Sequence, residues 1–569
     1  MRRWFVLCII VGVTYSHGVA CAQPFPIVLA QVPPLPPFPL PPKPPPLPEK
    51  PLPPPPPPLQ PPVAPPEKRE RLPALRVFVR AINVLGSTVF TPDELAKVTA
   101  PYTNRELTSE DLEALRQALT LHYISKGYAT SGAIIPDQAV TGGVLTVRII
   151  EGKLAGIDVE GNRWFLSSYF QNRIDLGAGP PVNVNALQER LQLLQTDPRI
   201  QRINAELRPG VVRGESLLNV RVAEANPFKA WLEFNNYQSP TVGAEQGLVT
   251  VADQNLIGFG DTLSLQYGRS SGVNPILNFR YALPINAHDT TVSAQYRRFD
   301  FAVKEDPFAA LDIKNKAQIF GVSLRHPVYR TLQQEFAVAL TAEHEINKSF
   351  LLGEPFEFIA GATNGVFRVS ALRLSQEWVR RTPDDVISAL SRFSLGIGVL
   401  GATATADPAQ ADGRFFSWLG EAQWARLIQP WRIQLLARTT LQLSNDHLFP
   451  LEQFAVGGRY SVRGYREYTL VRDNGFLGSF EIRVPVFTSA TGVDVLHLAP
   501  FVDVGRSWNT TAETPEPKML SSVGIGMVWS IMQGSHFEVY WGHRLKSVPN
   551  PDGNLQDHGV SLQLVVQAF

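Results

Sequence analysis

Cysteine is nearly absent from this chain. Only Cys8 and Cys21 occur among its 569 residues, and both lie close to the N-terminus. If that segment is removed on export, the mature chain can form neither disulfide bonds nor reactive thiolates. This composition is common among bacterial outer-membrane proteins, and it excludes a secreted domain stabilised by disulfides.

The N-terminus has the three parts of a secretory signal peptide. Arg2-Arg3 forms a basic start, residues 4–13 are mostly apolar, and Ala20-Cys21-Ala22 matches a small-residue cleavage site. We expect residues 1–22 to be a signal peptide and the mature chain to begin at Gln23. Two alternatives remain open: a twin-arginine signal and a lipoprotein signal that ends at the cysteine.

Long apolar runs and an excess of one charge are also missing. Beyond the N-terminus no stretch of about 20 apolar residues occurs, which excludes a membrane protein built from helices. A β-barrel remains possible, because alternating side chains hide its hydrophobicity from average scales. The 52 basic and 51 acidic residues nearly balance, so we expect no nucleic-acid partner.

The usual signatures of catalysis are absent as well. The ten histidines show no metal-binding spacing of the H-E-x-x-H type, and no Ser/His/Asp nucleophile arrangement stands out. We therefore expect no enzymatic activity, no cofactor and no metal.

Proline, in contrast, is abundant and unevenly distributed. Residues 33–66 hold nearly half of the chain's 49 prolines, so no packed core can form there. Polyproline II is the expected conformation, with a length on the order of 100 Å. We predict a proline-rich linker over residues 23–70. A spacer, a docking site for a proline-binding partner and a short plug remain alternative roles.

Residues 71–225 contain two segments with the same predicted order of elements, β-α-α-β-β. The predicted strands are 75–84, 133–136 and 144–151 in the first segment, and 157–160, 203–207 and 217–222 in the second. The predicted helices begin at the capping residues Thr91 and Thr108 in the first segment, and lie after Ser167 and around Leu187–Leu194 in the second. This repeat predicts two small α+β domains, at residues 71–152 and 153–225.

From residue 226 to residue 569 the helical periodicity disappears. Segments of about ten residues alternate apolar and polar side chains, as in Thr262–Gly268, where Leu265 and Tyr267 point to one side and Gln266 to the other. An apolar outer row and a polar inner row are typical of a membrane β-barrel. We predict a barrel of about 16 antiparallel strands. A soluble β-sandwich is the alternative.

One segment among these strands does not have the composition of a strand. Val462-Arg463-Gly464-Tyr465 places a charge within a glycine-rich stretch, and we predict a long lumenal loop near residues 446–472. A charge inside a barrel needs a partner, and alternation along residues 498–505 turns Phe501 and Asp503 toward the lumen. We predict a contact between Arg463 and Asp503, with Tyr465 and Phe501 beside it. The alternative is two separately solvated lumenal charges.

Several motifs together resemble those of two-partner secretion transporters, the haemolysin-activator and filamentous-haemagglutinin family. That family belongs to a superfamily of outer-membrane assembly factors and protein translocases. The segment at 462–465 resembles the signature at the tip of the family's inward-folded sixth loop, and Gly258-Phe259-Gly260-Asp261 resembles its early barrel turn. Residues that match its first periplasmic (POTRA) domain include Gly127, Tyr128, Pro136, Gln138, Glu151 and Gly152.

The resemblance implies a bacterial outer-membrane pore with two periplasmic POTRA domains. Such a pore recognises a large unfolded partner exoprotein through these domains and translocates it to the cell surface without ATP. It also implies contacts with outer-membrane lipid and with the outer-membrane assembly machinery, for which Phe569 would be the C-terminal insertion signal. An assembly factor (insertase) of the same superfamily is the alternative function.

Two further functions remain as alternatives, and the chain departs from the family pattern in one respect. A passive porin has no need for the β-α-α-β-β pair, and an outer-membrane enzyme lacks candidate residues. Many relatives carry an N-terminal plug helix, but residues 23–32 contain Pro24 and Pro26, which makes a pore-spanning helix doubtful.

Overall fold

The computed structural model describes residues 76–359, 361–407, 410–489, 494–532, 534–549 and 553–568. The expected signal peptide, the proline-rich linker with its short plug, and Phe569 lie outside the described residues. Two compact units are present. Of the described residues, one unit contains 76–227 together with 257–260, and the other contains 228–256 and the chain from 261 onward.

The first small domain contains five strands and two helices. In chain order these are β1 (Arg76–Val79), β2 (Ala81–Leu85), α1 (Pro92–Thr99), β3 (Arg105–Thr108), α2 (Ser109–Ser125), β4 (Gly132–Ile134) and β5 (Val144–Ile150). The order of strands in its main sheet is β2-β5-β4, and β1 pairs with β3 separately.

The predicted strand over residues 75–84 is therefore wrong as a single element. The ladder breaks at Arg80, whose N–H donates to the Gly143 carbonyl at 2.7 Å. The chain then passes from one sheet to another. The short strand β3, whose sequence is Arg-Glu-Leu-Thr, was not predicted, because four residues with two charges carry almost no periodic signal.

Both helices of this domain begin where the sequence predicts. Thr91 with Glu94 and Thr108 with Asp111 form reciprocal capping boxes, in which each side chain binds the other residue's backbone N–H. Leu115, Leu119 and Tyr123 recur on one face of α2 and are fully buried in the domain core.

The second small domain repeats the predicted order. It contains β6 (Lys153–Glu160), α3 (Ser167–Asp175), α4 (Val184–Gln195), β7 (Ile200–Pro209) and β8 (Glu215–Glu224). The strand order is β6-β8-β7, with β6 parallel and β7 antiparallel to β8. The segment 257–260 belongs to this unit: the Gly258 carbonyl accepts from the Leu166 N–H at 3.0 Å, and the Gly260 carbonyl accepts from the Arg199 guanidinium at 2.5 Å.

The remainder of the chain is a closed antiparallel barrel, which confirms the predicted fold. Its sixteen long strands are β9 (Phe228–Asn235), β10 (Gln246–Asp253), β11 (Thr262–Ser270), β12 (Val273–Pro284), β13 (Thr291–Ala302), β14 (Lys314–Arg330), β15 (Gln334–Leu351), β17 (Val366–Arg381), β18 (Asp385–Gly396), β19 (Phe416–Ile428), β20 (Ile433–Ser444), β23 (Asn474–Thr488), β24 (Asp494–Trp508), β25 (Met519–Met532), β26 (Ser535–Arg544) and β27 (Val560–Gln567). The short strand β16 (Glu354–Pro355) pairs antiparallel with the end of β15, and β21 (Phe454–Val456) pairs with β22 (Leu470–Arg472) outside the ladder.

The barrel closes where its last strand meets its first. β27 pairs with β9 from Gln563↔Asn235 to Gln567↔Trp231. Side chains alternate along the wall. Outward residues such as Leu340 and Leu374 are exposed, whereas inward residues such as Glu345 are buried. Closure leaves no free sheet edge in the barrel, and it rules out the alternative of two packed sheets. Of the helices in the described ranges, none has both the length and the apolar character required to cross a membrane.

Candidate functional site

The connection between β20 and β23 turns inward and carries the predicted motif. It contains a short turn at Pro450–Glu452 and the β21–β22 pair, with residues 457–469 between these two strands. Val462 is fully buried. A side chain added at Gly505, on the inner face of β24, would lie within 2.8 Å of Val462. The loop tip is therefore packed against the inner wall.

Arg463 is bound to Asp503 by three hydrogen bonds. Its backbone N–H donates to Oδ2 at 3.0 Å, Nε donates to Oδ2 at 2.7 Å, and Nη2 donates to Oδ1 at 2.8 Å. Arg463 is 3% exposed and Asp503 is 0% exposed. The bidentate geometry and the extra backbone donor hold both the side chain and the backbone of the loop tip at one carboxylate.

The same guanidinium has two further polar partners on β23. Nη1 donates to Glu481, and Nη2 donates to Ser479 Oγ at 3.1 Å. Glu481 is buried and also accepts from Arg483 at 2.7 Å. Glu481 was not predicted as a partner, although the alternation of side chains along β23 places it on the same face as Ser479.

The aromatic residues predicted near the pair have different positions. The Phe501 ring centroid lies 3.6 Å from the Arg463 guanidinium carbon, which is cation–π geometry. The Tyr465 hydroxyl instead lies 2.9 Å from the carbonyls of Ser521 and Lys546, and it accepts from the Lys546 N–H at 3.0 Å. Tyr465 thus links the loop to β25 and to the segment that follows β26.

Gly464 permits the loop to touch the wall directly. Its φ is +92°, and a side chain added there would lie 2.6 Å from the Gly542 carbonyl oxygen on β26. A residue with a side chain would be strained in this conformation and would also clash.

A second charged contact holds the loop tip. The Arg459 guanidinium donates to Glu538 of β26 at 3.0 Å, and the Tyr237 hydroxyl donates to the same carboxylate at 2.9 Å. The contact between Arg459 and Glu538 was not predicted from the sequence, because only Arg463 was assigned a partner.

The start of the loop forms another ion pair, five strands along the wall from β24. The Arg373 guanidinium, from the inner face of β17, donates to the two Glu452 oxygens at 2.6 and 2.9 Å. Glu343 and Glu345 of β15 lie 3.5 and 3.9 Å from the same guanidinium. The start and the tip of the inward loop are therefore tied to lumenal charges.

A fourth link involves the loops at the rim. Arg466 donates from Nη2 to Asp557 at 2.7 Å and from Nη1 to Glu305 at 2.8 Å. These carboxylates lie in the connections β26–β27 and β13–β14. The inward loop thus has ion pairs with four strands, β17, β23, β24 and β26, and with two connections at the rim.

The predicted POTRA residues act within the small domains. Glu151 accepts from the Thr88 N–H at 2.7 Å and from the Tyr123 hydroxyl at 3.0 Å. Burial raises the pKa of Tyr123 to about 12, so this hydroxyl stays protonated as a donor. The Gln138 amide accepts from the Thr146 N–H at 2.8 Å and donates to its carbonyl at 2.6 Å, in the manner of a neighbouring strand.

Two of the remaining motif residues, Gly127 and Gly152, lie at the joint between the two small domains. The Gly127 carbonyl accepts from the Val184 N–H at 2.9 Å, and the Gly152 carbonyl accepts from the Val182 N–H at 2.7 Å. A side chain at Gly127 would lie 2.6 Å from the Asn183 side-chain oxygen. Tyr128 packs its ring against Phe90 and Tyr123, and the Pro136 carbonyl accepts from Gln138 at 3.3 Å.

The side chains around the inward loop and in the small domains provide charge-assisted hydrogen bonds and closely packed contacts. Among the residues that the structure describes, no group of three or more His, Cys, Asp or Glu side chains could hold a metal ion.

Comparison with protein families identifies the chain. The family described as haemolysin secretion/activation protein ShlB/FhaC/HecB matches residues 214–528, more than half of the chain. A POTRA domain of the ShlB type matches residues 77–152.

Individual relatives agree with this assignment. The chain is 24% identical to the outer membrane transporter CdiB of Escherichia coli over 418 residues, covering 70% of this chain and 67% of the relative. It is 24% identical to the hemolysin transporter protein ShlB of Serratia marcescens over 471 residues, covering 79% of each.

Solved structures share the fold. CdiB from Escherichia coli superimposes with a TM-score of 0.65 at 21% identity, covering 89% of this chain and 93% of that one. BamA from Haemophilus ducreyi lacking POTRA domains 1–3 gives a TM-score of 0.52 at 12% identity, with 86% and 100% covered. The chain therefore belongs to the haemolysin secretion/activation family ShlB/FhaC/HecB and is a protein-secretion transporter of the bacterial outer membrane.

Proposed function

We propose that this chain captures one large exoprotein in the periplasm and passes it unfolded through the barrel lumen after the inward loop moves. The observation that supports this most directly is the Arg463–Asp503–Glu481 cluster, which attaches the loop tip to the lumenal wall through buried charges. Buried ion pairs of this kind hold a group in one orientation, and the loop can exchange them for other ion pairs. They suit a loop that must hold one position and then adopt another.

Capture would involve residues 71–152 and 153–225, which we propose as the two POTRA domains. In the second domain, β6 and β7 are the outer strands of the sheet β6-β8-β7. An extended peptide can add to such an edge through main-chain hydrogen bonds, which give affinity without demanding one sequence. In the first domain Gln138 already occupies the backbone groups of Thr146 on β5, which directs a peptide to other edges.

Translocation in this scheme uses no ATP and no catalytic step. Folding of the exoprotein outside the cell would supply the drive. We further propose that Phe569 presents the C-terminal signal to the outer-membrane assembly machinery. The proline-rich residues 23–70 would serve as a spacer.

The experiment that tests secretion against the assembly alternative uses cells that carry the chain under a repressible promoter. The candidate exoprotein is a long exported β-rich protein encoded beside this gene. The proposal expects depletion to abolish its appearance at the surface while the amounts of unrelated barrel proteins stay constant. A general fall in unrelated barrel proteins would instead favour an insertase.

Deleting residues 33–66 separates the roles of the linker. A spacer predicts unchanged single-channel conductance, because the tract then lies outside the lumen. A rise in conductance would show that the tract plugs the pore.

A further inference from the structure

Three basic side chains lie near one rim on the outer face of the barrel wall: Lys316 of β14, Lys348 of β15 and Arg368 of β17. We call them the outer basic row. The two lysines are exposed and Arg368 is half-buried. Residues beside them in sequence, such as Ala317 and Phe367, are buried on the opposite face. The alternation of the strands therefore turns all three cations outward.

The register brings these charges together. Lys316 and Lys348 are direct cross-strand partners. Lys348 pairs with Val366, which places Arg368 two residues further along the neighbouring strand. Like charges directly opposite each other destabilise a strand pair, so a bound anion would stabilise the arrangement.

The protein itself does not provide that anion among its described residues. None of the three cations forms an ion pair there, whereas other outward charges nearby are matched. Asp300, the register partner of Lys316 on β13, is bound by the Arg298 guanidinium at 2.6 and 3.1 Å. The row thus keeps three uncompensated positive charges.

The position of the row fits the surface of a lipid leaflet. Toward the middle of the same strands the outward residues are apolar and exposed: Phe320, Val322, Leu324, Leu340, Leu372 and Leu374. The Lys316 ammonium lies 5.4 Å from the centre of the Phe350 ring, an aromatic residue of the kind found where a barrel leaves the hydrocarbon.

The side of the membrane follows from strand direction. β9 begins directly after the periplasmic domains, so odd-numbered strands of the sixteen end at the cell surface. β15 is the seventh, and Lys348 lies three residues before its last residue. The row is therefore level with the headgroups of the outer leaflet.

We infer that the outer basic row binds the phosphate groups of an outer-leaflet lipid. A lipid with two phosphates, such as the lipid A part of lipopolysaccharide, matches several cations spread over three strands. Clusters of Lys and Arg beside a bilayer recognise anionic headgroups, and Arg adds planar geometry for phosphate. The row is separate from the lumenal loop and independent of the secreted cargo.

The test uses the full mature chain in detergent micelles, titrated with bisphosphorylated lipid A and with the same lipid after its phosphates are removed. The proposal expects the combined variant Lys316→Gln, Lys348→Gln and Arg368→Gln to bind the bisphosphorylated lipid on the order of a hundredfold more weakly. The charge-keeping variant Lys316→Arg with Lys348→Arg should bind as the unaltered chain does. Inorganic phosphate at millimolar concentration should not displace the lipid.

Arg380→Gln is the matched control. Arg380 shares the outer face of β17 but lies at its other end. Heat-modifiable gel mobility checks that each variant forms a barrel. Equal binding by the triple variant, or equal binding of the dephosphorylated lipid, would overturn the proposal. An equal loss with Arg380→Gln would also overturn it, because binding would then follow total charge.

Discussion

Arg463 and Asp503, 40 residues apart in sequence, are joined through one backbone and two guanidinium donors. The backbone donor matters because it fixes the loop's main chain as well as its side chain. Glu481 and Phe501 complete the environment of the guanidinium. The loop anchor is therefore a cluster of at least four side chains.

Replacing Arg463 with alanine should strongly reduce secretion of the exoprotein. The change leaves the carboxylates of Asp503 and Glu481 buried without this partner, a loss that typically costs about 3–5 kcal/mol. Quantitative immunoblots of secreted and retained exoprotein measure the effect. Arg506→Ala, on the outer face of β24, is the control. Normal secretion by Arg463→Ala would show that the loop needs no such anchor.

Exchanging the two charges should fail to restore secretion. In the double variant Arg463→Asp with Asp503→Arg, the new aspartate faces Glu481, and like charges at that distance repel. The sequence alone supports a simple swap, but the structure adds Glu481 as a second carboxylate at Arg463. Adding Glu481→Gln to the double variant should recover part of the secretion. Recovery by the swap alone would mean that Glu481 does not contact the loop.

Glu452→Gln should loosen the start of the inward loop without unfolding the barrel. Because Glu343 and Glu345 remain close to the Arg373 guanidinium, the free energy that holds the start of the loop in place should fall by only about 1–3 kcal/mol. Maleimide labelling of Ser461→Cys measures the exposure of the loop tip and should become faster. The matched control is Glu357→Gln, in the connection between β15 and β17, whose carboxylate accepts from the Asn364 N–H. Unchanged labelling would place the restraint at the tip alone.

Asp197→Asn should destabilise the second small domain in a pH-dependent manner. Burial opposes ionisation of Asp197, but the hydrogen bonds and charge of Arg199 outweigh it and lower its pKa. The pKa of this carboxyl is lower in the folded chain than its value of about 3.9 in the unfolded chain, so the ionised carboxylate stabilises the fold above that unfolded pKa. This stabilisation is lost as the pH falls through the folded-state pKa. Hydrogen exchange near β7 should show a difference of about 1–2 kcal/mol at pH 6 that shrinks below pH 4. A difference independent of pH would exclude the ion pair as its cause.

Gly127→Ala should weaken the joint between the small domains more than Gly142→Ala does. Both glycines have positive φ, but only position 127 has a neighbour, the Asn183 side chain, that a Cβ would meet. The control therefore isolates the backbone strain, about 1 kcal/mol. Protease cleavage near residues 180–183 reports the state of the joint. Equal cleavage of the two variants would argue against a packing role for Gly127.

Much of the fold can be predicted from local patterns in the sequence. The capping boxes at Thr91 and Thr108 and the alternation along β11 predict elements close to those observed. Parity also assigns Asp503 to the lumen, which made it a candidate partner for Arg463. These features depend on a few neighbouring residues, which a single sequence displays.

Contacts made by several distant segments could not be predicted in the same way. Glu452 meets Arg373 across 79 residues, and Arg466 meets Glu305 across 161. Several lumenal carboxylates share the right parity, so parity cannot choose among them. The break at Arg80 depends likewise on one hydrogen bond to Gly143. The two ion pairs follow from barrel closure and strand register.

The most direct test of the account deletes residues 75–222. Secretion of the exoprotein is measured in cells that express the variant, and ion conduction is measured with the purified variant. The account predicts that secretion of the exoprotein is abolished while the barrel still conducts ions in a planar bilayer, since capture and passage belong to different parts of the chain. Secretion at the level of the unaltered chain would contradict the account.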